Sequence, residues 1–359
     1  STFLDKSALM DGLAHGVEGV RTDAHLADGI ALREMLSEVN PEMISLHVDG
    51  YETVGALRAV VDWAGDARLS MKGSSTWDLG RDLPKSDTSK FLRHVESWGA
   101  AFPKFSTWGV DASIWQDRGM LPVDAIALSM NAAKWGIQTL VASGLSVEQA
   151  ACRCTIRLAS TTDIISTAAA IRGLRIAFAT LVEELGGNPK SAPLWIESRT
   201  TSVLSVRNLA EDNLLRHTIM AYAAVLGGAD GIEVRRHDFM NPAKDATSSG
   251  QALRWARNIL HILRDEAMLG RTSDPMGGSK HLDVATRWYA TESLSRATQM
   301  YSIEKWNEAV LLGRDAWLSA PVFVPKDSNR RDDPLSTDPT ENFYVLNHKF
   351  SDALIEPSK

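Results

Sequence analysis

Cysteine is almost absent: Cys152 and Cys154 are the only two among 359 residues. Two thiols exclude a disulfide-stapled secreted scaffold and cannot complete a zinc site alone. They lie two apart on an expected helix, where side chains at i and i+2 diverge and do not easily bridge, so a reduced, cytoplasmic setting is expected. Basic residues are not in excess either. With 38 Lys and Arg against 45 Asp and Glu, the net charge of −7 gives no overall attraction to nucleic acid or to an anionic membrane. No stretch of eighteen uninterrupted apolar residues occurs, and the opening STFLDKSALMDGLAHG lacks a basic segment followed by an apolar one, which argues against a spanning helix or signal peptide. The Ser1-Thr2 start is expected to be that of a complete chain after loss of an initiator methionine. GxGxxG, GKS, GxSxG, HExxH and CxxC patterns are also missing. The eleven tryptophans, among them Trp108, Trp115, Trp195, Trp255 and Trp288, lack basic interleaving and read as core or interface anchors.

What is present is length and 44% hydrophobic composition, enough for a large core. Short apolar segments recur between helical stretches: GVEGVRTD, EMISLHVDG, ARLSMKG, KFSTWGVDASI, IQTLVASG, APLWIES, ADGIEVRRHD and a segment near Thr272. TVGALRAVVDWAG, VDAIALSMNAAKWGIQ and the run from Ser146 to Gly186, broken only by Gly173, have helical period. Eight such alternations predict an α/β fold, a single (β/α)8 TIM-type barrel over residues 1–318, with a doubly wound open sheet as the competing architecture. Residues 319–359, rich in Pro, Asp and Ser, read as an extended C-terminal arm. VLGGADG is expected to be a helix C-cap leading into strand seven.

A barrel places function at the C-terminal ends of its strands. The residues expected there are Arg21, Asp23 and His25, then His47 and Asp49 on one face by the two-residue period, Lys72, Asp111, Glu197, Arg199, Glu233, Arg235 and His237. Such a ring suits metal binding by histidine and carboxylate, or an acid and base poised by mutual pKa shifts. Solvated loop residues and rim ion pairs are the plainer reading of the same positions, and for His47 a satisfied inner-face histidine.

The stretch ARNILHILRDEAMLGRTSDPMGGS from Ala256 resembles the ARN…DPxGGS signature of the methylmalonyl-CoA mutase family. NPKSAPLWI, NLLRHTIMAYAAVLGGADGIEV, IRGLRIAFATLVEELGG, LAHGVEGV and GLSVEQAACRCTIRLASTTDII are similar to that family's barrel in the same order, over about residues 8 to 310. The resemblance implies a barrel with DPMGGS near the end of strand eight: proline stops the preceding element and the glycines permit a turn.

Departures shape the function that the resemblance implies. Catalytic members carry an N-terminal segment that brings a tyrosine beside the substrate; this chain begins almost at strand one. Their Ser-Gly-Tyr-His turn after strand four, whose histidine bonds the thioester carbonyl, stands here as DASIWQD, with Ile114 or Trp115 near that histidine. The strand-six Arg-Thr-His and TSGW motifs stand here as WIESRTTSVLS, and in IEVRRHD Glu233 takes the place nearest the strand-seven histidine. Arg172 and Arg175 match the family's AKLRAAR helix, with Ala170 at its lysine. The DxHxxG loop of a flavodoxin-like cobalamin domain has only an imperfect echo, DAHLADG, at the wrong end of the chain. The resemblance therefore implies no cobalamin domain and no cofactor bound by this chain alone, cobalamin being carried by a partner subunit. The pattern is most similar to the small, non-catalytic subunit of that family, an accessory component dimerising with itself or with a larger mutase subunit. The alternative is a free-standing repurposed barrel enzyme, with polar acid/base or metal-assisted chemistry on an acyl thioester or carboxylate. In that case His47, Asp49, Glu197 and Glu233 are the expected catalytic groups and Lys72, Asp111, Arg199, Arg235 and His237 bind substrate. A regulatory binder without chemistry is the third option.

Overall fold

The computed structural model describes residues 6–23, 29–49, 54–82, 87–205, 210–240 and 246–319. His25 and the arm from residue 320 onward lie outside the described residues. In chain order the elements are α1 (Lys6–Ala14), β1 (Gly19–Asp23), α2 (Gly29–Leu36), β2 (Ser45–Asp49), α3 (Val54–Ala64), β3 (Gly73–Asp78), α4 (Leu79–Asp82), α5 (Thr88–Ala101), β4 (Phe105–Asp111), α6 (Ser113–Gln116), α7 (Pro122–Ala142), α8 (Val147–Ala151), β5 (Cys154–Ser160), α9 (Ile164–Glu184), β6 (Trp195–Thr200), α10 (Asp212–Gly227), β7 (Gly231–Glu233), α11 (Ala246–His261), α12 (Lys280–Ala297) and α13 (Ile303–Ser319). Seven strands form one sheet in sequence order, β1 to β7, and β1–β2, β2–β3, β3–β4 and β6–β7 pair in parallel. An α/β chain with this strand order fits a TIM-like barrel.

Three strand expectations are corrected. IQTLVASG is not a strand: it is the end of α7 and the turn after it, while β5 is CTIRLAS, inside the run expected to be helical. ARLSMKG starts in a 3-10 turn over Gly65–Leu69 and continues as irregular chain, and β3 begins only at Gly73. No strand occurs near Thr272 among the described residues; Leu269–Arg271 is a 3-10 turn that leads through further turns to α12. The first error has a physical cause: a short apolar run reads alike in strand and helix, so the end of α7 and the fully buried β5 exchange their assignments.

The chain divides into two compact units, the first comprising residues 1–111, 132–156 and 179–195 and the second 112–131, 157–178 and 196–359. In the first unit Val20, Leu46 and Val48 of β1 and β2 join Leu32, Leu36, Ala56 and Val60 from α2 and α3 in a buried core. Within the same core Trp98 and Phe105 stack at 6.3 Å between ring centroids, and Phe102 and Phe105 at 4.6 Å. Asp87 caps α5 by accepting from Lys90 N, and a reciprocal Ser146–Gln149 capping box starts α8.

In the second unit α10 ends at Gly228 in the left-handed region (φ 75°), which confirms the cap expected of VLGGADG. α9 is the one described helix long and apolar enough to cross a membrane, but it is largely a core helix: Ala168, Ile171, Leu174, Ala177 and Phe178 are all buried. Gly173 does not break it. A Cβ there would lie 2.6 Å from Tyr289 Cβ and 3.0 Å from Thr286 O, so the glycine lets α12 approach α9 closely. The DPMGGS turn locks onto the same helix. Arg172 donates to both Asp274 carboxylate oxygens and to Leu226 O at the end of α10, while Arg175 donates to Gly228 O and to Asp230.

Candidate functional site

The strand-end residues expected from the sequence fall in both units. In the first, β2 alternates as the two-residue period requires, with Leu46 and Val48 buried on one side and His47 and Asp49 half-buried on the other. Register sets Arg21 beside His47, and Arg21 donates to Asp49 Oδ1 at 2.6 Å. His47 also stands opposite Ser74 of β3, its Nδ1 lying 2.9 Å from Ser74 Oγ. Asp111 is buried at the end of β4, and its backbone N–H donates to Asp78 Oδ1 at 2.9 Å, an oxygen that also accepts from Gly80 N. Asp78 thus ties the end of β3 to that of β4; it lies five residues beyond the expected strand ARLSMKG, so no strand-end pattern in the sequence marks it. Lys72 is corrected: it is exposed and precedes the first residue of β3 instead of following the last.

In the second unit Glu197 of β6 is buried against Arg157 of β5, which donates through both Nε and a terminal amine at 2.9 Å. Arg157 was missed with its strand; its alternation with buried Ile156 and Leu158 was the available signal. The second cluster centres on Asp117, just after α6. Asp117 accepts from Thr201 Oγ1 at 2.9 Å, Ser202 N at 2.8 Å and Arg235 at 2.5 Å. Arg199 of β6 lies 3.8 Å from the same carboxylate and donates to Ser113 Oγ at 2.6 Å. Arg235 also donates to Thr200 O and covers the Phe239 ring at 5.2 Å. Glu233 ends β7, in register with Arg199. His237 is buried beyond β7 with its ring 5.0 Å from that of Trp255. Sequence reasoning also passed over Asp117, which lies in no strand.

Buried histidines elsewhere serve packing. Burial pushes His217 down to about 4, although it donates to Arg235 O and sits 3.1 Å from Ser205 Oγ. Burial lowers His94 in the same way, next to Ser75 O at 2.8 Å. Cys152 is exposed, Cys154 is buried, and both are free thiols. Neither shares a helix with the other: Cys152 ends α8 and Cys154 opens β5. Among the described residues no group of three or more His, Cys, Asp or Glu side chains could hold a metal ion. Chemically, the described strand ends present arginine–carboxylate pairs knitted to hydroxyls and backbone amides.

A family model described as Methylmalonyl-CoA mutase matches residues 83–303. The methylmalonyl-CoA mutase small subunit of Propionibacterium freudenreichii subsp. shermanii is 26% identical over 321 residues, which cover 85% of this chain and 49% of that protein. A probable methylmalonyl-CoA mutase small subunit of Mycobacterium bovis is 31% identical over 188 residues, 52% of this chain and 30% of its own. The 2-hydroxyisobutanoyl-CoA mutase large subunit of Aquincola tertiaricarbonis is 22% identical over 324 residues, 86% of this chain and 55% of that subunit. The chain therefore spans about half, or less, of the curated relatives it matches.

Proposed function

Because the chain belongs to the methylmalonyl-CoA mutase family, we propose that it is the accessory, small-subunit-like component of an acyl-CoA mutase, a TIM-type barrel that pairs with a larger subunit carrying the cobalamin. The observation that carries this reading is the Asp117 cluster: one carboxylate takes Arg235, Thr201 and the Ser202 amide, with Arg199 beside it. Together with the buried Arg157–Glu197 pair, it makes these strand ends an ionic framework. A group committed to several partners is held for position, not poised to exchange a proton with a substrate.

We place cobalamin on the partner subunit and not on the strand ends of this chain. A histidine that held the cobalt would need a ring nitrogen accessible to it. His94 and His217 are buried and bonded within the fold, Nδ1 of His47 is engaged with Ser74, and His237 is buried against the Trp255 ring. Similarity to small subunits supports placing the corrin on the partner.

One geometry favours the second reading, a repurposed enzyme. His47 Nδ1 and Ser74 Oγ lie at hydrogen-bond distance beside the Arg21–Asp49 pair, a base next to a hydroxyl. The deciding experiment is gentle purification from the native source, with the mass and corrin content of the complex measured. A stoichiometric larger subunit with corrin is the expected result. A corrin-free monomer or homodimer overturns the accessory reading and sends the His47–Ser74 pair to a screen of acyl thioesters.

A further inference from the structure

α13 begins at Ile303, where the family match ends, and packs on the turn that leaves β4. Trp306 is fully buried and meets Trp115 of α6 edge-on at 5.3 Å. About two turns later along α13 the two backbones touch. A Cβ on Gly313 would lie 2.1 Å from Gly119 O, a separation real side chains do not adopt, and Gly119 itself is at φ 115°. Arg314 donates from Nε to Arg118 O at 2.7 Å, and the Arg118 guanidinium lies 4.7 Å from the Trp115 ring centroid. These contacts fall on both sides of Asp117, which stands two residues after Trp115 and two before Gly119.

We propose that α13 is a latch: by clamping Trp115 and Gly119 it fixes Asp117, and through Asp117 it holds the ends of β6 and β7 in place. The chain of contacts is continuous, from Trp306 and Gly313 on α13, through the α6 turn, to Asp117, and from there to Ser202, Arg199 and Arg235. Undocking α13 frees the turn that carries the carboxylate, and the two arginines lose the anion that gathers them. The device is conformational and stands whether the chain is an accessory subunit or an enzyme.

Hydrogen exchange on the full chain tests it. Gly313→Val, which cannot sit against Gly119, is expected to speed exchange of the Gly119 and Met120 amides, and of the distant Ser202 amide bound to Asp117, by about tenfold or more. Leu312→Ser, on the exposed side of α13, is expected to leave all three at the wild-type rate. Asp117→Asn should speed Ser202 alone. If Gly313→Val does not fold, Trp306→Phe gives the same readout with a smaller change. Acceleration of Gly119 and Met120 without Ser202 overturns the coupling, and unchanged rates at all three overturn the latch.

Discussion

Arg172 on α9 grips Asp274 of the DPMGGS turn with two guanidinium nitrogens and spends one of them also on Leu226 O, the carbonyl near the end of α10. The turn is thereby architectural: its carboxylate, oriented further by the Met276 amide, fastens α9 to the loop before α12. Arg172 holds the Asp274 carboxyl below its usual range. Because the folded value is the lower one, this stabilisation is present above the unfolded pKa, near 4, and is lost as pH falls through the folded value. Asp274 is solvent-accessible, so the pair is worth little, about 1 kcal/mol or less. Arg172→Ala also leaves Leu226 O without that donor and should cost about 1–2 kcal/mol in urea unfolding at pH 7. Asp274→Asn should cost less and should flatten the stability curve below pH 4.

His217 gives a pH dependence of larger amplitude. Its folded pKa, about 4, lies below the ordinary histidine value near 6.5, so the unfolded chain binds the proton more tightly. Stability from the neutral ring is therefore full above about pH 6.5 and falls as pH drops toward 4, by at most about 3 kcal/mol over that window. Urea unfolding at pH 7.5 and pH 5 should show the loss in the wild type. His217→Gln should narrow the difference; an unchanged difference would assign the acid sensitivity elsewhere.

Much of this fold is legible in the sequence, and the failures are specific. The alternation in SLHVD put His47 and Asp49 on one face, and the glycines of VLGGADG put a left-handed cap after α10. β5 is hard to see because every residue of CTIRLAS is buried, including Thr155 and Arg157, so the short alternation of Arg157 with Ile156 and Leu158 is its one local mark inside a run of helical period. The site expected from sequence therefore holds Glu197 without Arg157, its partner one strand away. Asp117 was out of reach for another reason. Its role comes from the chain's turn after β4 meeting residues 84 and more positions later, a long-range contact that no local pattern encodes.

Gly173 offers a packing test. An alanine there would place its Cβ 2.6 Å from Tyr289 Cβ and about as close to backbone as to side chain, so α9 and α12 must separate. Gly173→Ala gains helix propensity, worth about 1 kcal/mol, yet overpacking of this kind costs about 1–3 kcal/mol. Net destabilisation is expected in thermal unfolding, and a rise in the midpoint would show that the interface gives way freely.

The Arg157–Glu197 pair separates framework from chemistry. Both side chains are under a tenth exposed. Removing one partner strands a buried charge, so Arg157→Met or Glu197→Leu alone should cost about 3–5 kcal/mol, whereas the double replacement, which strands neither, should lie near or above the wild type. Denaturant unfolding of the four proteins, analysed as a double-mutant cycle, measures the coupling. The double variant is also the informative reagent for function. If Glu197 serves only to satisfy Arg157, a complex built with that variant should assemble and turn over as the wild type does. If Glu197 handles a proton of the substrate, the double variant stays folded and loses turnover, and the framework reading of β5 and β6 fails with it.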